Sequence, residues 1–183
     1  MELLMFQKLR KFDEKVVDRM SGIHRPVLDR VMVMFTYAGM GGLIWWVLFV
    51  IPFLITRRFR ETSAIMTAAL GVNYLIGEII IKKLVGRVRP SEQIADDDMK
   101  INKPKDHSFP SGHSASSFCA FTVTFWCCPF WIWLPALLLA STIAFSRMYL
   151  RVHYFTDVIG GIILGVLDGS LVTLFFKTVV FTH

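Results

Sequence analysis

From Glu2 to Met20 the apolar residues Leu3, Phe6, Leu9, Phe12, Val16, Val17 and Met20 recur at spacings of three and four, with Lys8, Lys11, Lys15 and Asp18 largely off the stripe. That period is helical. A segment so charged does not cross a bilayer, and it predicts an N-terminal amphipathic helix lying in the headgroup plane. Five longer apolar runs follow, at Val33–Ile55, Ser63–Ile81, Ser114–Cys128, Phe130–Phe145 and Tyr154–Phe176. The third is short and is expected to start a turn earlier, in the loop before it; only Pro129 separates it from the fourth. A single apolar run can be a buried helix of a soluble protein, but five in 183 residues predict membrane spans. The fold class is therefore all-α, an integral membrane helical bundle. One domain covers 1–183, with 1–30 as interfacial helix and linker and 31–183 as the transmembrane bundle. Gly161, Gly165 and Gly169 repeat every four residues on one face of the last span, so a neighbouring backbone is expected to approach closely there.

Composition supports the same picture. Hydrophobic residues make up 54% of the chain, more than a soluble domain of this length can bury. The net charge of +6 lies almost wholly outside the apolar runs and points to anionic headgroups or phosphate. No zinc-finger spacing, basic helix or stacking motif accompanies it, so no nucleic-acid partner is expected. Cys119, Cys127 and Cys128 sit in or beside an apolar run without C-x-x-C pairing, and they read as small apolar fillers. Gln7, Lys8, Arg10 and Lys11 interrupt the N-terminal apolar residues, so no cleavable signal is expected.

Three polar clusters stand at the ends of spans. Lys82 is followed after six residues by Arg89-Pro90; Pro110-Ser111-Gly112-His113 precedes the third span; Ser146-Arg147 is followed after five residues by His153 and after three more by Asp157. If spans alternate in direction, 82–90, 110–113 and 146–157 meet on one side. Such an inventory suits phosphoryl transfer, in which the reacting group stays anionic and catalysis is mostly positioning and charge stabilisation. Lys82, Arg89 and Arg147 can grip phosphate oxygens. Ser111 and Gly112 open a helix whose free N–H groups favour an anion. His153 and Asp157, four apart, would share one helix face, the carboxylate holding a ring proton while the other nitrogen attacks phosphorus. His113 can protonate the leaving oxygen.

The pattern K-x6-RP, PSGH and SR-x5-H-x3-D resembles the signature of the type-2 phosphatidic acid phosphatase superfamily, and every signature position is filled. That group includes undecaprenyl-diphosphate phosphatases, phosphatidylglycerophosphate phosphatases, lipid phosphate phosphatases and vanadium-dependent haloperoxidases. The resemblance implies a phosphohistidine on His153 supported by Asp157, His113 as acid, and Lys82, Arg89, Ser111, Gly112, Ser146 and Arg147 as phosphate ligands. It implies no metal and no other cofactor. It also implies six spans, where the residues count five plus an interfacial helix. The expected function is hydrolysis of a phosphomonoester or diphosphate of a membrane lipid, first undecaprenyl diphosphate to undecaprenyl phosphate. Phosphatidic acid or phosphatidylglycerophosphate is the alternative.

Two other classes fit less well. A haloperoxidase resembles a soluble protein, and a lipid carrier has no need of both a nucleophile and an acid. Lipid substrate and membrane lipids are the expected partners, with no obligate protein partner. Glu78, one turn before Lys82, is expected to pair with it, and Asp168 with an interior polar group such as Asn73. His24, His107 and His183 read as structural or solvated, Asp96, Asp97 and Asp98 as a solvated loop, and Arg57, Arg58, Arg60 and Arg151 as snorkelling cations. All but four of the 20 Lys and Arg lie on the side of the signature residues, which taken literally puts that side in the cytoplasm. Several of them serve phosphate, and the family resemblance implies a site on the extracytoplasmic face of the cell membrane.

Overall fold

Helices account for nearly all the regular structure in a computed structural model that describes residues 2–181, with side chains from residue 7 onward. Leu3 and Phe6 of the amphipathic stripe, and His183, therefore lie outside the described side chains. In chain order the long helices are α1 (Glu2–Ser21), α2 (Pro26–Ala38), α3 (Met40–Ile55), α4 (Arg57–Val85), α5 (Gly112–Cys127), α6 (Phe130–Tyr149) and α7 (Phe155–Val180). Among the described residues there is no strand. The architecture is the all-α bundle that the apolar periodicity predicts.

By length and hydropathy α4, α6 and α7 are each able to cross a membrane. The run expected as one span from Val33 to Ile55 instead begins at Pro26 and breaks into α2 and α3, which meet at a bend of 54°. The physical reason is local. Gly41 and Gly42 stand at φ 59° and 71°, a left-handed conformation that interrupts the helical ladder. α5 is 16 residues long and starts at Gly112, earlier than the apolar run, with Ser111 as its N-cap.

α5 is the central helix, packed against α4, α6 and α7. Its side toward α4 and α6 joins a core of Trp45, Ile65, Met66, Ala69, Cys119, Ala120, Val123, Ala140 and Ile143. Cys119 is fully buried there, as a filler should be. Its contact with α7 is a backbone seam. A Cβ added to Gly161, Gly165 or Gly169 would lie 2.5, 2.2 or 2.9 Å from the carbonyl oxygens of Ser111, Ala115 and Cys119. The four-residue glycine repeat thus permits the close approach expected of it. Deeper in the bundle the Asn73 side-chain amide donates to Asp168 Oδ2 at 2.8 Å, joining α4 to α7 through the pair expected from the sequence.

α1 packs on α6 and α7. It leaves Leu9 and Phe12 nearly half exposed and turns Asp13 inward, where that carboxylate is 1% exposed. Arg57, Arg58 and Arg60 are exposed at the junction of α3 and α4. Arg151 does not simply snorkel, since its Nη2 donates to the Asp98 carbonyl at 3.0 Å.

Candidate active site

α4 ends at Gly86, whose φ of 60° reverses the chain. The following segment brings Arg89 back over the helix end, close to Lys82. α5 opens beside it at Gly112, and the turn 150–154 between α6 and α7 carries His153 into the same place. A cavity of about 680 Å³ is lined there by Lys82, Arg89, Gly112, His113, Arg147 and His153. It continues along α4 to Tyr37, Met40, Trp46, Leu70 and Tyr74. Met40 and Tyr74, at this apolar end, are exposed on the outside of the bundle.

Arg89 is 3% exposed and organises the polar end. Its Nε donates to the Asp106 carbonyl at 2.8 Å, its Nη1 to the Val152 carbonyl at 2.8 Å, and its Nη2 to Asp106 Oδ1 at 3.0 Å. Nη1 also lies 2.8 Å from His153 Nε2. A guanidinium has donors only, so Nε2 is the accepting nitrogen and the ring proton belongs on Nδ1. That nitrogen has no hydrogen-bond partner, and Asp157 Oδ2 is 3.7 Å from it. Burial foremost, then Arg89, Arg147 and Lys82, hold the His153 pKa well below the usual histidine value. The imidazole is neutral at physiological pH, with its lone pair at the cavity.

Lys82 Nζ donates to Glu78 Oε2 at 2.7 Å, the pairing expected one turn apart, and also to Asp106 Oδ2. Burial alone would raise the Asp106 pKa, but Lys82 and Arg89 pull it down to about 2. Arg147 donates through Nη1 to Thr36 Oγ1, and its buried Nε has no partner. His113 Nε2 lies 3.1 Å from the Thr36 carbonyl, which can only accept; Nε2 therefore carries the proton in the neutral ring. The bend after α2 makes this contact feasible: a Cβ on Gly39 would stand 3.0 Å from His113 Cδ2. Gly112 is similarly confined, since a Cβ there would fall 1.9 Å from Glu78 Oε1.

Five of the expected residues therefore converge with their side chains on one cavity, and Gly112 joins them through its backbone. Three stand differently. Ser146 is buried, and its hydroxyl donates to the Ile143 carbonyl of its own helix at 2.7 Å. The Ser111 hydroxyl lies 2.9 Å from Ser114 Oγ and caps α5. Neither lines the cavity, because local backbone bonding has claimed the hydroxyl. Asp157 does not stack on His153 as one helical turn on another. His153 precedes α7, with Tyr154 as the N-cap, and Asp157 sits in the first turn.

Asp157 is fully buried and accepts from Arg87 Nη1 at 2.6 Å, from the Tyr154 N–H at 2.8 Å and from Ser108 Oγ. Arg87, Ser108, Thr36, Asp106 and Asp13 were not singled out by the signature. Arg87 lies inside the K-x6-RP spacing at an unspecified position. Asp13 left one signal: it stands four residues after Leu9 and four before Val17, on the apolar stripe itself. Elsewhere His24 pairs with Asp29 at 2.8 Å, His107 is exposed, and Asp96 meets Lys103 at 2.6 Å. Among the described residues no three His, Cys, Asp or Glu side chains gather as a metal ion requires.

The model of the PAP2 superfamily matches residues 62–181. A lipid A 4'-phosphatase of Bacteroides thetaiotaomicron is 30% identical over 181 residues, covering 91% of this chain and 78% of that protein. An undecaprenyl-diphosphatase of Sulfolobus acidocaldarius is 28% identical over 120 residues; that match takes in 66% of this chain but only 58% of the relative's length. The crystal structure of a transmembrane PAP2-type phosphatidylglycerolphosphate phosphatase from Bacillus subtilis superposes with a TM-score of 0.78 at 26% identity. The superposition covers 99% of this chain and 96% of that one.

Proposed function

The chain belongs to the PAP2 superfamily of membrane phosphatases, and from that membership and the cavity we propose that it removes a phosphoryl group from a membrane lipid through a phosphohistidine on His153. The observation that carries this reading is one cavity with two ends. Three cations and His153 Nε2, whose lone pair accepts from one of them, Arg89, stand at one end, and apolar side chains reaching the bundle surface stand at the other. A lipid headgroup fits the first while its tail stays against the second and the bilayer.

Lys82, Arg89 and Arg147 hold the phosphoryl oxygens, displacing the carboxylates of Glu78 and Asp106 that now accept from Lys82 and Arg89. Free N–H groups at the start of α5, where Gly112 leaves the backbone bare, add donors without charge. As Arg89 turns from Nε2 to the phosphoryl oxygens, Nε2 attacks phosphorus and the bond to the leaving oxygen breaks; His113, entering the step protonated on both nitrogens, gives that oxygen its Nδ1 proton and keeps its Nε2–H on the Thr36 carbonyl. The Nδ1 proton remains on the ring, and Asp157 offsets the charge that develops there. Water then attacks the phosphohistidine, returning its proton to His113 and releasing phosphate. No step requires a metal ion, so we expect full activity in EDTA. Vanadate, which mimics five-coordinate phosphorus, should inhibit.

We place undecaprenyl diphosphate first among substrates, ahead of phosphatidic acid, phosphatidylglycerophosphate and lipid A, with the site on the extracytoplasmic face. A phosphate-release panel on these four lipids, with His153→Ala as control, tests the reaction and ranks the headgroups. Equal release by wild type and His153→Ala removes the mechanism. Labelling of a cysteine introduced at Ala95 in intact cells tests the side: labelling without permeabilisation is expected, and protection until the membrane is opened overturns the placement.

A further inference from the structure

Asp13 is a buried carboxylate on a helix whose neighbouring Leu9 and Phe12 are exposed. A carboxylate in that position is stable only if its lone pairs are satisfied, and here they are. Asp13 Oδ2 accepts from Arg87 Nη2 at 2.7 Å and from Thr156 Oγ1 at 2.6 Å, and Oδ1 accepts from the Thr156 N–H at 3.0 Å. Arg87 then divides its fork: Nη1 reaches Asp157 Oδ1 at 2.6 Å and Thr156 Oγ1 at 2.7 Å, while its flat face covers the Tyr154 ring at 4.2 Å. The Tyr154 N–H closes the ring on Asp157. One guanidinium is shared by two buried carboxylates, one on the first helix and one beside His153.

We propose that Asp13 and Arg87 are positioning residues for the phosphatase reaction, through which α1 holds the carboxylate of Asp157 at the nucleophile. The inference rests on the reading of His153 as nucleophile. Charge makes the role specific. Asp157 paired with Arg87 alone would be neutral toward His153. With Asp13 the three groups carry a net negative charge, set against the cations that face His153: Arg89 from the loop, Arg147 from α6 and Lys82 from α4. His113 faces it from α5. That surplus matters most when the ring becomes cationic on bonding to phosphorus. It acts in the transition state more than on substrate binding.

The test uses the full chain in detergent with phosphatidic acid or undecaprenyl diphosphate, whichever the wild type hydrolyses faster. Asp13→Asn keeps the shape and removes the charge. It should lower kcat by roughly tenfold with KM held within about twofold. It should also move the acidic limb of kcat/KM to lower pH by several tenths of a unit, because losing a nearby negative charge makes His153 easier to deprotonate. Asp13→Glu should restore most of kcat and return the limb. A drop in thermal stability with kcat, KM and the limb unchanged makes Asp13 merely structural and overturns the proposal. Should Asp13→Asn not fold, Arg87→Lys gives the same decision: kcat falls at constant KM, or the proposal fails. Wild type inert on every lipid, or His153→Ala as active as wild type, removes the proposed function and this inference with it. An inactive His153→Ala beside a wild-type-like Asp13→Asn removes this inference alone.

Discussion

The seam between α5 and α7 and the polar end of the cavity lie next to one another and are built on opposite principles. In the seam, glycine lets backbone meet backbone, and each missing Cβ is replaced by a carbonyl oxygen of the facing helix. At the cavity, position depends on exchangeable charge: Lys82 and Arg89 share Asp106, and Glu78 takes the remaining reach of Lys82. Backbone contacts have one arrangement, whereas charged side chains can trade one anion for another. The two regions join where the Ser111 N–H donates to the Asp157 carbonyl at 3.0 Å, so the seam sets how far His113 stands from His153. The contrast teaches that the site is placed by residues without functional groups and operated by residues whose partners can leave.

The sharpest break of that contrast is at the nucleophile. His153→Ala should lower phosphate release by at least about a thousandfold while the thermal transition in detergent stays within a few degrees, because the seam is untouched. A surviving activity would mean that another group attacks phosphorus. Next comes the seam itself. Gly165→Ala forces a methyl into the space 2.2 Å from the Ala115 carbonyl, which cannot step aside as a side chain could. We expect a loss of about 2–4 kcal/mol of stability and a fall in activity that follows the folded fraction. Gly71→Ala is the matched control. Nothing lies within 4 Å of a Cβ there, so its stability should stay within about 0.5 kcal/mol of wild type or rise slightly. Equal behaviour of the two variants would show that close packing in the seam places nothing.

Apolar periodicity and motif spacing made different parts of the molecule legible. The periodicity located helices because every span must bury its own backbone polar groups, which leaves few choices. It did not reveal the bend after Ala38, since the left-handed glycines 41 and 42 look like any flexible pair among apolar residues. Motif spacing singled out Lys82, Arg89, His113, Arg147 and His153, whose side chains line one cavity. It could not foresee that the hydroxyls of Ser111 and Ser146 bond locally, nor that Asp157 stands off His153 by 3.7 Å while Arg87 occupies it. Partners such as Asp13, 144 positions before Asp157, are set by tertiary packing. A carboxylate on an apolar stripe was the one trace that packing left in the sequence.

The smallest effect we predict lies in the exchange of anions. Asp106 has its pKa lowered from 3.8 to about 2, so it is ionised throughout the range in which a phosphatase is assayed. Its pairing with Lys82 and Arg89 is present above pH 3.8 and is lost as pH falls through 2, too low for that loss to shape an activity profile. A phosphoryl group entering the cavity must therefore displace a charged competitor at any working pH. Asp106→Asn keeps the amide oxygen as a weak acceptor and removes the charge. Vanadate should then inhibit at roughly three- to tenfold lower concentration, with kcat within about twofold of wild type, because His113, His153 and the seam are unaltered. Weaker inhibition in the variant would mean that the carboxylate chiefly holds Arg89 in place, and the polar end of the cavity would then be fixed by geometry as the seam is.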